Sequence, residues 1–292
     1  MRTQNEPIAP APQASQTITL KREYGSLVVD VWEPRTAANA PPILLIHGWG
    51  ASGFYWCKTA HTLAATARVI VPDLPGTGRS LPVLKTRNMF DQVAALIELL
   101  DELDVEQVQV IGHSMGGAMA LLLADALPER VKRLVLTSTC FFLDEQQIQI
   151  YESIMRFTFL SMRFRPSWLV DLPFMTRLTA THYFYRVPDE PALLRQGFLD
   201  YLQLDYKTAV ACANDAGAPS IPAAGRRIRV PTLLVACRQD RVMPRGNVDY
   251  TVSSIPGCKV QWIDACGHLP MVEKPEEYEE ILRNFLDLGL NE

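Results

Sequence analysis

Val108-Gln109-Val110-Ile111-Gly112-His113-Ser114-Met115-Gly116 decides how the rest of the chain is read. Val108 to Ile111 predicts a buried strand, and Ala118 to Leu127 predicts an apolar helix just downstream. Between them, Gly112-His113-Ser114-Met115-Gly116 has the G-x-S-x-G spacing that turns a strand sharply into a helix and lifts a serine hydroxyl above the sheet edge. Such a turn strains the serine backbone and crowds its neighbours. Side chains at Gly112 and Gly116 are therefore expected to collide with the adjoining strand or helix. Ser114 is the candidate nucleophile.

Serine is a poor nucleophile at neutral pH, so it needs a histidine to take its proton and a carboxylate to hold that ring in the right tautomer. His268 lies in Cys266-Gly267-His268-Leu269-Pro270, directly after a strand predicted at Val260 to Ile263. Asp240 lies in Arg238-Gln239-Asp240-Arg241, four residues after a strand predicted at Thr232 to Ala236. Both loops leave the carboxyl ends of their strands, the edge that also carries Ser114. The competing acids are Asp264, only four residues from His268, and Asp144, after the strand that precedes a long helical segment. An ion pair with Arg238 or Arg241 is the bland alternative for Asp240. Of the other histidines, His47 reads as structural, His61 sits on a predicted helix, and His182 lies in the helical segment. His113 adjoins the serine, where the turn points neighbouring side chains apart.

A tetrahedral intermediate places a full negative charge on oxygen, so two fixed backbone N–H donors are required. His47-Gly48-Trp49-Gly50 follows a strand predicted at Ile43 to Ile46 and lies upstream of the serine turn. The N–H groups of Trp49 and Met115 are the expected oxyanion donors.

Short apolar runs at Ile43 to Ile46, Val69 to Val71, Val108 to Ile111, Leu134 to Leu136, Thr232 to Ala236 and Val260 to Ile263 read as buried parallel strands. Asn88 to Leu103 and Glu276 to Leu288 carry apolar residues at three- and four-residue steps, as amphipathic helices do. Alternation of this kind indicates an α/β protein with a doubly wound, mostly parallel sheet. Thr17 to Glu33, with Tyr24-Gly25 in the middle, reads as an N-terminal antiparallel hairpin. The alternation stops after Thr139 and resumes near Arg229. The expected organisation is a disordered tail over 1–16, a core formed by 17–141 and 223–292, and an inserted helical cap over 142–222.

Hydrophobic residues make up 48% of the chain and charged residues 21%, enough apolar material for a packed core. A formal net charge of −4 without a Lys/Arg run gives no footprint for nucleic acid or anionic lipid. The six cysteines lack metal or C-x-x-C spacing and read as free thiols. The first residues lack a secretory apolar stretch, and no apolar run reaches the roughly 18–20 residues of a membrane span. A cytoplasmic protein, monomer or homodimer, is expected, with a small molecule as its partner and a peripheral membrane contact still open.

With serine turn, oxyanion turn, acid and histidine placed, the chain resembles the α/β-hydrolase superfamily, specifically its cap-bearing serine esterase and lipase-like members, from about Thr17 to Leu288. Asp73-Leu74-Pro75-Gly76-Thr77-Gly78-Arg79-Ser80 is similar to the family's loop after the fourth strand, with Thr77 where histidine is frequent. Gly267-His268-Leu269-Pro270 with Glu273-Lys274-Pro275 is similar to its histidine loop. The resemblance implies the α/β-hydrolase fold, an acyl-enzyme on Ser114, and no metal or organic cofactor. It separates this chain from dehalogenases and epoxide hydrolases of the same fold, which carry an aspartate nucleophile. Carbon–carbon hydrolases share the serine triad and often have asparagine before the serine; here it is His113, which favours esters. Thioesterase, amidase and acyltransferase chemistry use the same triad, and a non-catalytic protein binding a hydrophobic ligand is the alternative from another class. Fourteen of the 25 aromatic residues fall between Phe141 and Tyr206, favouring an apolar substrate. Trp49, His113, Phe142, Trp168 and Leu269 are the expected substrate contacts.

Overall fold

The computed structural model describes residues 12–35 and 40–288. Most of the tail expected over 1–16 lies outside the described residues. The framework is an eight-stranded sheet of β1 (Gln16–Arg22), β2 (Gly25–Trp32), β3 (Ile43–Ile46), β4 (Val69–Asp73), β5 (Val108–His113), β6 (Val131–Thr137), β7 (Thr232–Cys237) and β8 (Lys259–Ile263). Across the sheet the order is β1-β2-β4-β3-β5-β6-β7-β8. The hairpin of β1 and β2 is antiparallel and joins the sheet antiparallel to β4, while all pairs from β4 to β8 are parallel.

Around the sheet run α1 (Cys57–Leu63), α2 (Met89–Glu102) and α3 (Met115–Ala126). Between β6 and β7 the chain inserts α4 (Glu145–Met162), α5 (Pro173–Ala180), α6 (Pro191–Gln203) and α7 (Tyr206–Asn214), and then α8 (Ser220–Arg227). After β7 come α9 (Arg245–Ser254), α10 (Pro270–Glu273) and α11 (Pro275–Phe285).

The central strands are buried at nearly every position, and mostly apolar, because helices cover both faces. Leu44 and Ile46 of β3, Val110 of β5 and Leu136 of β6 point into one core with Leu96 of α2 and Leu123 of α3. Their sequence neighbours Ile43, Leu45, Ile111 and Val135 point into the other, with Leu63 of α1 and Leu282 of α11. The two cores are the two faces of a pleated strand with period two.

β8 departs from the expectation of a buried strand. It is the sheet's outer edge, with Lys259, Val260 and Gln261 exposed, because no further strand covers it. The domain boundary expected after residue 222 falls inside α8, whose Ile221 and Ala224 pack into the first core. Among the described residues no helix is long and apolar enough to cross a membrane.

Candidate active site

β5 ends at His113, and α3 begins at Met115, so Ser114 makes the whole turn alone. Its φ of 54° and ψ of −123° lie in a region that residues with a side chain rarely occupy. The backbone is held there by its neighbours. The Ser114 N–H donates to Thr137 O at 2.8 Å, and its carbonyl accepts from Gly117 N and from Thr139 Oγ1, both at 2.9 Å. The glycine requirement is met by backbone proximity: a Cβ on Gly112 would overlap Gly116 O, and one on Gly116 would overlap His47 O.

The oxyanion turn is pressed against this elbow. A Cβ on Gly48 would lie 3.2 Å from Ser114 Cβ and 3.1 Å from His113 Nδ1. As the first residue of α3, Met115 has an N–H without an intrahelical acceptor. Among the described residues no hydrogen bond takes up the N–H of Trp49. Both expected donors are thus free to meet an anion. His47 has the structural task read from the sequence. Its Nε2 accepts from Leu74 N at 3.0 Å, so Nδ1 carries the proton and donates to Gly48 O at 2.9 Å. Burial lowers its pKa, which keeps the ring neutral.

His268 and Asp240 come together. His268 Nδ1 donates to Asp240 Oδ2 at 2.8 Å, with both side chains almost fully buried. The other carboxylate oxygen, Oδ1, accepts from Val242 N at 2.7 Å and Met243 N at 3.0 Å, which fixes the plane of the group. Neither neighbouring arginine competes for it: Arg238 pairs with the exposed Asp264, and Arg241 donates to Thr181 O. Asp144, the other rival, caps α4 by accepting from Gln147 N. The hydroxyl of Ser114 makes no hydrogen bond with His268 in this arrangement; among the described residues the two are linked through His113. Hydrogen bonds of this kind are often long before a ligand binds and tighten in its complex.

His113, an expected substrate contact, is buried with both ring nitrogens engaged. Tyr55 Oη lies 2.8 Å from Nδ1, and Nε2 lies 2.9 Å from His268 O. The rings of His113 and His268 stand 4.8 Å apart. Trp168, another expected contact, is 59% exposed on the 3-10 turn Ser167–Asp171. Phe142 stacks at a tilt on Tyr151, and Leu269 packs with Ala180 and Phe184. Trp49 donates from Nε1 to Ala209 O of α7 and lines a cavity of about 20 Å³ with Met115, Met119, Leu204 and Ala209. That is room for about one water molecule. Of the exposed remainder, His61 lies against Arg35 and His182 against Tyr183.

Several groups at the site carry no signal of their own in the sequence. Tyr55 Oη accepts from Gly48 N at 2.7 Å. Asp200 of α6 accepts from Ser52 Oγ at 2.5 Å. Glu273 takes the N–H groups of Gly267, Tyr185 and Arg186, tying the histidine loop to the inserted segment. Tyr183 O accepts from His268 N at 2.6 Å. Only Glu273 stood inside a motif, the Glu-Lys-Pro of the histidine loop. Among the described residues no group of three or more His, Cys, Asp or Glu side chains is placed to hold a metal ion.

Residues 43–281 match the model of the alpha/beta hydrolase family. The chain is 26% identical over 291 residues to 2-hydroxy-6-oxononadienedioate/2-hydroxy-6-oxononatrienedioate hydrolase 2 of Pseudomonas putida, covering 94% of this chain and 97% of that protein. A thermophilic esterase from Thermogutta terrifontis superposes with a TM-score of 0.74 at 21% identity, covering 92% of this chain and 97% of that one. Carboxylesterase CesB from Bacillus subtilis superposes at 0.75 with 18% identity, covering 94% and 92%. At such identities the likeness of the structures speaks to the fold. Because the family model spans most of the chain and the sheet, its hairpin and its inserted helices follow the same plan, this protein belongs to the alpha/beta hydrolase family.

Proposed function

We propose that the protein is a serine hydrolase that cleaves a carboxylic ester of an apolar acyl or aromatic substrate through an acyl-enzyme. The observation that carries this reading is the buried 2.8 Å hydrogen bond from His268 Nδ1 to Asp240 Oδ2, on the same sheet edge as the strained elbow at Ser114. The bond fixes the tautomer with the proton on Nδ1 and leaves Nε2 as the base. In the reaction, Nε2 takes the Ser114 proton as Oγ attacks the ester carbonyl. The N–H groups of Trp49 and Met115 receive the oxyanion, and His268 returns the proton to the departing alcohol. Water then attacks the acyl-enzyme with His268 again as base, releasing the acid and restoring the Ser114 hydroxyl. Each donor of this kind is worth about 100- to 1000-fold in rate.

In the same reading, the inserted segment from about 142 to 219 is a cap over the site. Trp49, held between the oxyanion turn and α7, joins the two. The small cavity beside Trp49 and Met115 is lined mainly by apolar side chains, with His47, Thr77, Gln92 and Thr208 among them, and suits an acyl group once the cap yields. Carbon–carbon bond hydrolysis is the second reading, favoured by the relative from Pseudomonas putida.

Ser114→Ala should reduce turnover of aryl esters by about 10,000-fold and abolish covalent labelling by a phosphonate probe. Turnover persisting in that variant would overturn the reading. Ligand binding without turnover of any ester would instead favour a binding protein on this fold. A panel of aryl esters of increasing acyl length, a thioester, an amide and a vinylogous diketone separates the alternatives by kcat/KM.

A further inference from the structure

Nine large hydrophobic residues among the described ones are more than half exposed, and eight of them lie between 150 and 178. On α4, Ile150, Ile154, Phe157 and Leu160 recur at three- and four-residue steps, so they form one stripe along the helix. The opposite side of α4 faces the protein: Met162 and Phe159 pack with Leu204 and Trp49, and Tyr151 donates to Ala213 O of α7. Beyond the helix, Phe164 is 78% exposed, and Trp168 follows on the 3-10 turn Ser167–Asp171. On α5, Phe174 and Leu178 stand one turn apart and exposed, while Met175 packs towards α6. A soluble surface rarely carries so many large apolar groups in one run.

The charges around this surface lean positive. From 150 to 189 the chain has five arginines against Glu152, Asp171 and Asp189, and no lysine, a formal +2 within a protein of formal net charge −4. Arg165 is spent internally, donating to the carbonyls of Met162, Tyr201 and Leu204. Asp171 is answered by Arg195. Arg156, Arg163, Arg177 and Arg186 remain on the outside, with Glu152 beside Arg156 and Asp189 beside Arg177. The hydroxyls on α4 are already satisfied: Ser153 donates to Gln149 O, Thr158 to Ile154 O and Ser161 to Thr158 O. Covering them with hydrocarbon therefore leaves no new unpaired donor.

We infer that the outer face of α4, the turn after it and α5 docks on an anionic lipid bilayer, with Phe157 and Phe164 inserted among the acyl chains and Arg156 and Arg163 at the headgroups. An amphipathic surface with aromatic and aliphatic residues on one side and arginines along its edge matches an interfacial helix. A second copy of this chain fits less well, since a two-fold contact would set the same arginines against one another.

The test is co-sedimentation of the full chain with vesicles of phosphatidylcholine, with and without phosphatidylglycerol. Binding should require the anionic lipid and weaken with salt. Phe157→Ser with Phe164→Ser should lower affinity by about tenfold per ring, and Arg156→Gln with Arg163→Gln by about fivefold per charge. These exposed substitutions should leave the melting temperature in place, and Ser114→Ala should bind as the unaltered protein does, so the surface stands apart from the hydrolase reading. Equal binding to neutral vesicles, no binding to either, or a concentration-dependent dimer abolished by the double Phe variant would each overturn the inference.

Discussion

His113 joins two parts of the site that share no covalent segment. The His268 carbonyl can only accept, which makes His113 Nδ1 the ring's acceptor, and the Tyr55 hydroxyl, itself accepting from the Gly48 N–H, directs its proton to Nδ1. Nε2 then carries the ring proton and donates to His268 O. Only one set of donors and acceptors satisfies this chain, and burial, helped by the neighbouring His268, pushes the His113 pKa well below the ordinary histidine value. The ring stays neutral and acts as a strut between the turn at Gly48 and the loop of His268. Tyr55→Phe removes the link, leaving the Gly48 N–H and His113 Nδ1 without partners. The variant should lose about 1–3 kcal/mol of stability. If the strut positions the catalytic groups, kcat on a short aryl ester should fall about tenfold with KM nearly unchanged. Thermal unfolding and steady-state kinetics check the two effects separately. A loss of stability with kcat intact would reduce Tyr55 to a packing residue.

At the scale of elements, the turn from β5 into α3 depends on backbone contact that no side chain can enter. Gly116→Ala would force its new methyl into His47 O and Ile46 O at the end of β3. It should cost about 2–4 kcal/mol, read as a lower midpoint in urea. Gly197, inside α6 with open space at its Cβ position, is the contrasting site: Gly197→Ala should stabilise by about 0.5–1 kcal/mol. Equal effects at the two glycines would show that the elbow tolerates a methyl. This crowding is also why the elbow was legible, because a strand, two spaced glycines and a helix leave a local signature. The central strands were legible for a related reason: burial on both faces makes them continuous apolar runs. β8 has the same kind of run, yet nothing local distinguishes an edge strand from an inner one. α9 went unread, since its apolar positions are few and it packs on the first core through Val248 and the partly buried Val252. Tyr55 and Asp200 were invisible because each acquires its role from partners brought near by folding, and Glu273, though inside the histidine-loop motif, gave no sign of the N–H groups it accepts. The orientations of the His113 and Trp168 rings were not legible, because adjacency in sequence and aromatic composition do not say which way a ring faces.

Across the whole molecule, the inserted helices are fastened to the sheet body at separate points. Trp49 holds α7, Glu273 and Tyr183 O hold the histidine loop, and Asp205 N donates to Gly76 O at 2.9 Å. Asp200 differs from these ties because it can change charge. Its Oδ2 accepts from Ser52 Oγ, just beyond the oxyanion turn, and its Oδ1 accepts from Gln196 Nε2 at 2.7 Å. Burial is the main cause that raises its pKa to about 6; the two hydrogen bonds and Arg79 oppose that rise, and the Asp73 carboxylate adds to it. In the unfolded chain the same carboxyl ionises near the ordinary value of about 4. The folded state therefore binds this proton more tightly, and the contribution of Asp200 to stability falls as pH climbs from about 4 to about 6, then stays level. The fall is at most about 3 kcal/mol. Asp200→Asn keeps an acceptor for one neighbour and a donor for the other without a charge. Other carboxylates titrate over the same range, so the informative quantity is the variant's melting temperature minus that of the unaltered protein, followed from pH 4 to pH 7. That difference should rise in favour of the asparagine up to about pH 6 and then flatten. A difference independent of pH would mean that Asp200 keeps its ordinary carboxylate pKa inside the fold.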